Sequence, residues 1–167
     1  MSHHHHRDAA PALVRFAVLT VSDTRTLETD ESGLAILALV QGGSHVTSVR
    51  ALCKDDPADV ARLVREACAR EDVDLVVLTG GTGLSSRDST FEAISDLYQQ
   101  PIPGFGELFR MLSFSEIGAA AMLSRASAGV VDGKPVFSLP GSTPAVRLAM
   151  TRLILPEAGH LLAQLAR

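Results

Sequence analysis

Leu75-Val76-Val77-Leu78-Thr79-Gly80-Gly81-Thr82-Gly83-Leu84-Ser85-Ser86-Arg87-Asp88 is the stretch on which the fold turns. Its first half is a short apolar run with two adjacent valines, which reads as a central strand covered on both faces, as in a parallel sheet between helices. Its second half changes at once to glycine, threonine and serine. Gly80, Gly81 and Gly83 allow a sharp turn and leave room for a ligand against backbone N–H groups. Open α/β sheets bind ligands at such loops, beyond the carboxyl end of a buried strand; a plain strand-to-helix turn is the competing explanation. Two familiar phosphate loops are excluded. Gly83 is followed by Leu84 and Ser85 rather than Lys-Ser/Thr, and Ser86 stands where a dinucleotide fingerprint needs its third glycine.

The chain has 167 residues, enough for one domain with a substantial core. Met1 to Ala12 reads as an expression tag and tail, leaving 13–167 as the domain. A net charge of −4 argues against nucleic acid as a partner. Cys53 and Cys68 stand in no metal spacing, and His45 and His160 are isolated. Reduced, buried thiols in a cytoplasmic protein are expected. No apolar run reaches membrane-spanning length, and no secretory signal is recognisable.

Outward from the glycine loop, Arg15–Val21 is a second buried strand, ending in the polar cluster Ser22-Asp23-Thr24-Arg25. Parallel neighbours bring their carboxyl ends to one edge, so this cluster and the glycine loop should meet. Leu34–Val40 is helical, capped by Asp30 or Ser32 and stopped at Gly42-Gly43; His45–Leu52 is a weaker strand. Asp56-Pro57 starts a helix whose apolar face is Val60, Leu63, Val64, Ala67 and Cys68, worth about 5–8 kcal/mol of gross burial. Asp56 can cap that helix, which leaves Asp55 without a structural task. Ser89 and Glu92 have capping-box spacing, which leaves Asp88 free as well, unless Asp88 is itself the cap.

Pro101 to Gly104 breaks the chain before a helix with Phe105, Leu108, Phe109 and Leu112 on one face, as core or as subunit contact. Asp132-Gly133 between two β-rich runs signals a hairpin, which makes the sheet mixed. Leu139-Pro140-Gly141-Ser142 repeats the strand-to-glycine-to-helix theme at the start of a long last helix, with Pro156 expected to kink or end it. Three carboxylates without structural explanation, Asp23, Asp55 and Asp88, therefore share an edge with hydroxyls and glycine amides. That set suits a phosphate-handling site with carboxylate-bound Mg²⁺, and the residues alone name no substrate.

Four motifs in order carry a resemblance. Thr20-Val21-Ser22-Asp23, Thr79-Gly80-Gly81-Thr82-Gly83-Leu84 with Arg87-Asp88-x-Thr90, Pro103-Gly104-Phe105-Gly106-Glu107 and Leu139-Pro140-Gly141-Ser142 resemble the MoaB/MogA molybdopterin-binding family, over nearly all of Phe16–Leu155. The stretch Phe109–Gly118 resembles the shorter members. The resemblance implies a three-layer α/β/α sandwich with a mostly parallel sheet plus an antiparallel hairpin, assembled as a homotrimer or homohexamer and working beside other proteins of molybdenum cofactor biosynthesis. It implies molybdopterin and ATP as substrates, Mg²⁺ as cofactor, and adenylylation of the pterin's terminal phosphate with release of pyrophosphate. Asp55 and Asp88 match the family's two essential aspartates, as catalytic residues and Mg²⁺ ligands, although Lys54-Asp55-Asp56 replaces the usual Pro-Asp-Glu. By loop position, Ser22, Asp23, Thr79, Gly80, Gly81, Thr82 and Gly83 are assigned to nucleotide phosphate. Ser124, Arg125, Pro140, Gly141 and Ser142 are assigned to the pterin. A non-catalytic pterin carrier of the same family, or an oligomerising scaffold domain like the related unit of a larger neuronal scaffold, are the alternatives.

Overall fold

The computed structural model describes residues 11–166, so the tag reading of residues 1–10 lies outside them. Six strands form one sheet in the order β2-β1-β3-β6-β5-β4. They are β1 (Arg15–Val21), β2 (Val46–Cys53), β3 (Leu75–Thr79), β4 (Gln100–Pro101), β5 (Ser127–Val131) and β6 (Lys134–Leu139). The first three and β6 run parallel, with Phe16 beside Leu75 and Val76 beside Val136. β5 pairs antiparallel with both β6 and β4, so the sheet is mixed as the hairpin signal requires. Asp132 (φ 49°) and Gly133 (φ 77°) both take left-handed backbone in the two-residue connection.

Alternate residues of the central strands feed two cores. Phe16, Val18, Leu75, Val77, Phe137 and Leu139 face one way, towards α1 (Glu31–Gly42), α4 (Pro103–Ile117) and the C-terminal helix. Ala17, Leu19, Val76, Leu78 and Val136 face the other way, towards α2 (Pro57–Cys68) and α3 (Thr90–Ser95). Every one of these strand residues is buried, which explains the unbroken apolar runs and gives the three layers. Val60, Val64, Ala67 and Cys68 dock α2 on the second face as expected, with Leu63 half-buried beside them. Cys68 is buried and Cys53 half-buried; both are free thiols, pushed up to about 11 by burial.

The structure refines four local details. α1 begins before Leu34, at Glu31, because the buried Asp30 accepts the Gly33 N–H at 2.9 Å as its cap. On α4, Phe105 and Phe109 enter the core, but Leu108 is 47% exposed. β4 is too short and too exposed to show an alternating pattern. Pro156 neither ends nor breaks the last helix. α5 (Thr143–Ala149) passes through a wide π segment, Met150–Ile154, into α6 (Leu155–Leu165). The π turn accommodates the missing proline N–H, and Thr151 Oγ1 donates to Arg147 O at 2.8 Å within it.

Candidate functional site

Because β1, β3 and β6 are parallel neighbours, the loops after Val21, Thr79 and Leu139 reach the same edge, joined by the loop after β2. The expected meeting of the first two takes place. At Gly80 (φ 104°) a Cβ would run into Val21 O, and at Gly81 (φ 65°) it would strike the Thr90 hydroxyl and lie 2.6 Å from Asp55 Oδ2. Only glycine permits both the backbone and the approach. Gly80 N–H donates to Leu139 O at 3.0 Å, continuing the β3–β6 pairing. Among the described residues the amides of Gly81, Thr82, Gly83 and Leu84 have no acceptor within the chain. Neighbouring free amides of this kind are able to form an anion-binding concavity.

Each of the three carboxylates uses an oxygen to hold a loop. Asp55 Oδ1 accepts from Ser89 N–H (3.2 Å), Ser89 Oγ (2.9 Å) and Thr90 Oγ1 (3.5 Å), so Asp55 does have a structural task, the anchoring of α3. The capping box does not form. Ser89 makes no cap bond because its hydroxyl goes to Asp55, and Glu92 pairs with Arg125. Asp88 Oδ2 accepts the Ser85 N–H at 3.0 Å, a turn within its own loop, so Asp88 is not the α3 cap. Asp55 Oδ2 and Asp88 Oδ1 accept no hydrogen bond from the described residues. Asp23 Oδ1 accepts the Asp55 N–H at 3.2 Å and Oδ2 pairs with Arg87 at 2.5 Å, and these bonds hold its carboxyl below the usual range.

A second network fixes the opposite wall. Asp30, wholly buried, accepts from Thr20 Oγ1 at 2.7 Å and lies 3.8 Å from Arg50 and 4.0 Å from Arg25. Arg25 Nη1 (3.2 Å) and Ser32 Oγ (2.6 Å) both donate to Gly141 O, tying the β1 loop and the start of α1 to the loop after β6. Ser22 Oγ accepts from the Thr24 and Arg25 amides and shapes the turn that carries Arg25.

Two adjoining cavities result. One, of about 440 Å³, is lined by Ser22, Asp23, Asp55, Gly80, Gly81, Asp88, Gly141 and Ser142, together with Arg25 and Arg87. The other, of about 450 Å³, is lined by Thr82, Gly83, Ser124 and Pro140 and by the apolar Phe109, Ile117, Leu123 and Ala145. Gly81, Asp88, Gly141 and Ser142 border both. Two of the residues singled out in the sequence stand elsewhere. Thr79 is buried and donates to Pro140 O at 3.0 Å, a strand-end brace. Arg125 lines neither cavity; its guanidinium grips the glycine loop from behind. Arg25 and Arg87 were not among the assigned site residues, yet each lies next to an assigned aspartate or in its motif, which was the available signal.

Comparison with known proteins identifies the family. The family model described as "Probable molybdopterin binding domain" matches residues 17–160. Molybdenum cofactor biosynthesis protein B of Halalkalibacterium halodurans is 49% identical, covering 100% of this chain and 99% of its own. A crystal structure of a molybdenum cofactor biosynthesis protein B superposes with a TM-score of 0.92 at 50% identity, over 95% of this chain and 99% of that one. The tungsten cofactor synthesizing protein MoaB from Pyrococcus furiosus superposes with a TM-score of 0.85 at 36% identity, over 95% and 100% of the two chains. With the family model matching residues 17–160 and a relative 49% identical over nearly the whole of both chains, the chain belongs to the molybdopterin-binding family of molybdenum cofactor biosynthesis.

Proposed function

We propose that this chain binds molybdopterin and adenylylates its terminal phosphate with Mg-ATP, releasing pyrophosphate. The observation that carries the reading is the pair of cavities sharing one border. The first has carboxylates, free amides and two arginines, which suit a nucleotide's phosphates. The second combines Phe109, Ile117 and Leu123 with Ser124 and the Pro140–Ser142 loop, which suits a flat heterocycle carrying a phosphate. A pterin phosphate and an α-phosphate would meet at Gly81, Asp88, Gly141 and Ser142.

In the reaction a terminal phosphate oxygen of the pterin bonds to the α-phosphorus of ATP. The bond from that phosphorus to the α–β bridging oxygen breaks, and the electron pair leaves on pyrophosphate. The nucleophile is already an anion, so no strong base is required. What the protein must do is hold two anions together and offset their charge. The free amide of Gly81, on the shared border, and those of Thr82 and Gly83 beside it in the second cavity receive phosphate oxygens where the two substrates meet, while Arg25, positioned by Asp30 and Gly141, supplies positive charge at the opposite wall. Among the described residues no group of three His, Cys, Asp or Glu side chains could enclose a metal. Mg²⁺ does not need one, because it binds through one or two carboxylates plus substrate phosphates. Asp55 Oδ2 and Asp88 Oδ1 fit that role, and the ion would there neutralise the triphosphate's charge.

The apolar stripe along α4 and the following 3₁₀ turn supports assembly as a trimer or hexamer. Met111, Phe114, Ile117 and Met122 are all exposed, Phe114 by 62% and Met122 by 78%. The deciding experiment incubates pure protein with molybdopterin, Mg²⁺ and ATP and measures adenylylated pterin and pyrophosphate together. Stoichiometric release of both is expected. Tight pterin binding with neither product would leave the carrier reading in its place.

A further inference from the structure

Arg125 stands at the start of the β5 segment, behind the glycine loop and outside both cavities. Its Nε donates to Thr82 O at 3.0 Å, and its Nη2 donates to Gly83 O and, at 3.3 Å, to Asp88 O. Nη1 pairs with Glu92, and the guanidinium lies 5.0 Å from the centre of the Phe91 ring. One side chain, 19% exposed, thus reaches both ends of the 83–88 loop. In a trans peptide the carbonyl and the next N–H point in opposite directions. Pulling the carbonyls of Thr82, Gly83 and Asp88 backwards therefore turns the N–H groups of Gly83, Leu84 and Ser89 away from Arg125. Ser89 shows the consequence directly, since its N–H meets the cavity carboxylate Asp55 at 3.2 Å. The Gly83 and Leu84 amides, turned the same way, meet no acceptor among the described residues.

We propose that Arg125 is a positioning residue for the anion site: it sets the direction of the loop amides that receive a ligand's phosphate. A planar fork of five donors can hold three carbonyls at once, whereas a lysine ammonium is a compact point charge and cannot. This inference rests on the proposed nucleotide site for its ligand, but the loop geometry can be read without any ligand.

The test compares wild type with Arg125→Lys and Arg125→Ala in two measurements. The first is hydrogen exchange at the Ser89 and Thr90 amides, both hydrogen-bonded in the intact loop. Exchange there should rise by about tenfold or more in Arg125→Lys, with the β3 amides unchanged. The second is Mg-ATP affinity by calorimetry, expected to fall by about tenfold or more in both variants. Addition of ~20 mM guanidinium, far below denaturing levels, should recover part of that loss in Arg125→Ala, while methylammonium should not. A merely structural arginine would raise exchange across β3 too and would show no such rescue. If Arg125→Ala does not fold, Arg125→Lys carries both measurements. Unchanged exchange at Ser89 and Thr90 in folded Arg125→Lys would overturn the proposal, as would unchanged affinity. Failure of wild type to bind Mg-ATP would count against the nucleotide reading instead, and exchange alone would then decide the role of Arg125.

Discussion

Asp88→Asn separates the chemistry of this site from its architecture. Among the described residues the Asp88 side chain makes one local bond, from Ser85 N–H to Oδ2 at 3.0 Å, in an exposed loop. The asparagine carbonyl can accept the same amide, so the loss is the charge assistance of one exposed hydrogen bond, below about 1 kcal/mol. For a chain of this size that lowers Tm by at most about 2–4 °C. If Asp88 Oδ1 is a metal contact for the proposed adenylyl transfer, loss of the charge should slow product formation by at least ~100-fold, about 2.7 kcal/mol of transition-state stabilisation. Pterin binding should survive, because Ser124, Pro140 and the apolar wall of the second cavity are untouched. The assay pairs a melting curve with a time course of adenylylated pterin at saturating Mg-ATP. Near-wild-type turnover in a well-folded Asp88→Asn protein would refute the assignment.

Three further outcomes are expected. Asp55→Ala should impair both functions of that residue, slowing turnover as Asp88→Asn does and also destabilising the fold by about 1–3 kcal/mol as Ser89 and Thr90 lose their acceptor, measured by urea unfolding. Phe114→Glu should shift the species seen by light scattering at micromolar concentration to a smaller mass with the circular dichroism spectrum retained; an unchanged mass would remove the α4 stripe as the contact. Asp74 accepts from Arg15 Nε at 2.9 Å, Nη2 at 2.6 Å and the Arg15 N–H at 2.8 Å, and these bonds hold its carboxyl below its ordinary value of 3.8. A depressed folded-state value means the stabilisation is fully present above that ordinary value and fades as pH falls through the depressed one. Asp74→Asn should therefore flatten the acid limb of stability against pH below about pH 4 while costing about 1–2 kcal/mol at neutral pH; an equally steep acid limb would show that the pair does not set it.

The sheet was legible because burial on both faces leaves a plain signature. β1 carries the apolar run Phe16–Leu19 and β3 the run Leu75–Leu78, and Asp132-Gly133 announces a reversal that its left-handed backbone confirms. The docking face of α2 followed from spacing for the same reason. What sequence spacing could not supply was the choice among partners. Ser89 and Glu92 have the right separation to cap α3, yet both find stronger partners far along the chain, Asp55 and Arg125, and tertiary contact overrides the local motif. Arg125 was misread for a related reason. A positive charge near a phosphate site suggests a ligand contact, and only the fold shows that three carbonyls and a carboxylate already occupy it. Arg25 presents the reverse case, a residue close to the assigned Asp23 whose importance emerges only when Asp30 and Gly141 converge on it.

The π segment of the last helix has a consequence for angular phase. Val146, Met150, Ile154 and Ala158, which this helix buries along with Leu148 and Ala149, fall four apart, and Leu162 continues the series against the same core. In an ideal α-helix each such step drifts about 40° around the axis, so the stripe would wind nearly half-way round between Val146 and Leu162. The wider turn at Met150–Ile154 takes back much of that drift and keeps the stripe in line with the sheet. The helix therefore behaves as two ordinary segments brought into phase by one surplus residue. Removing the exposed Thr151 would restore a regular spiral locally and swing everything after Leu155 off the core it covers.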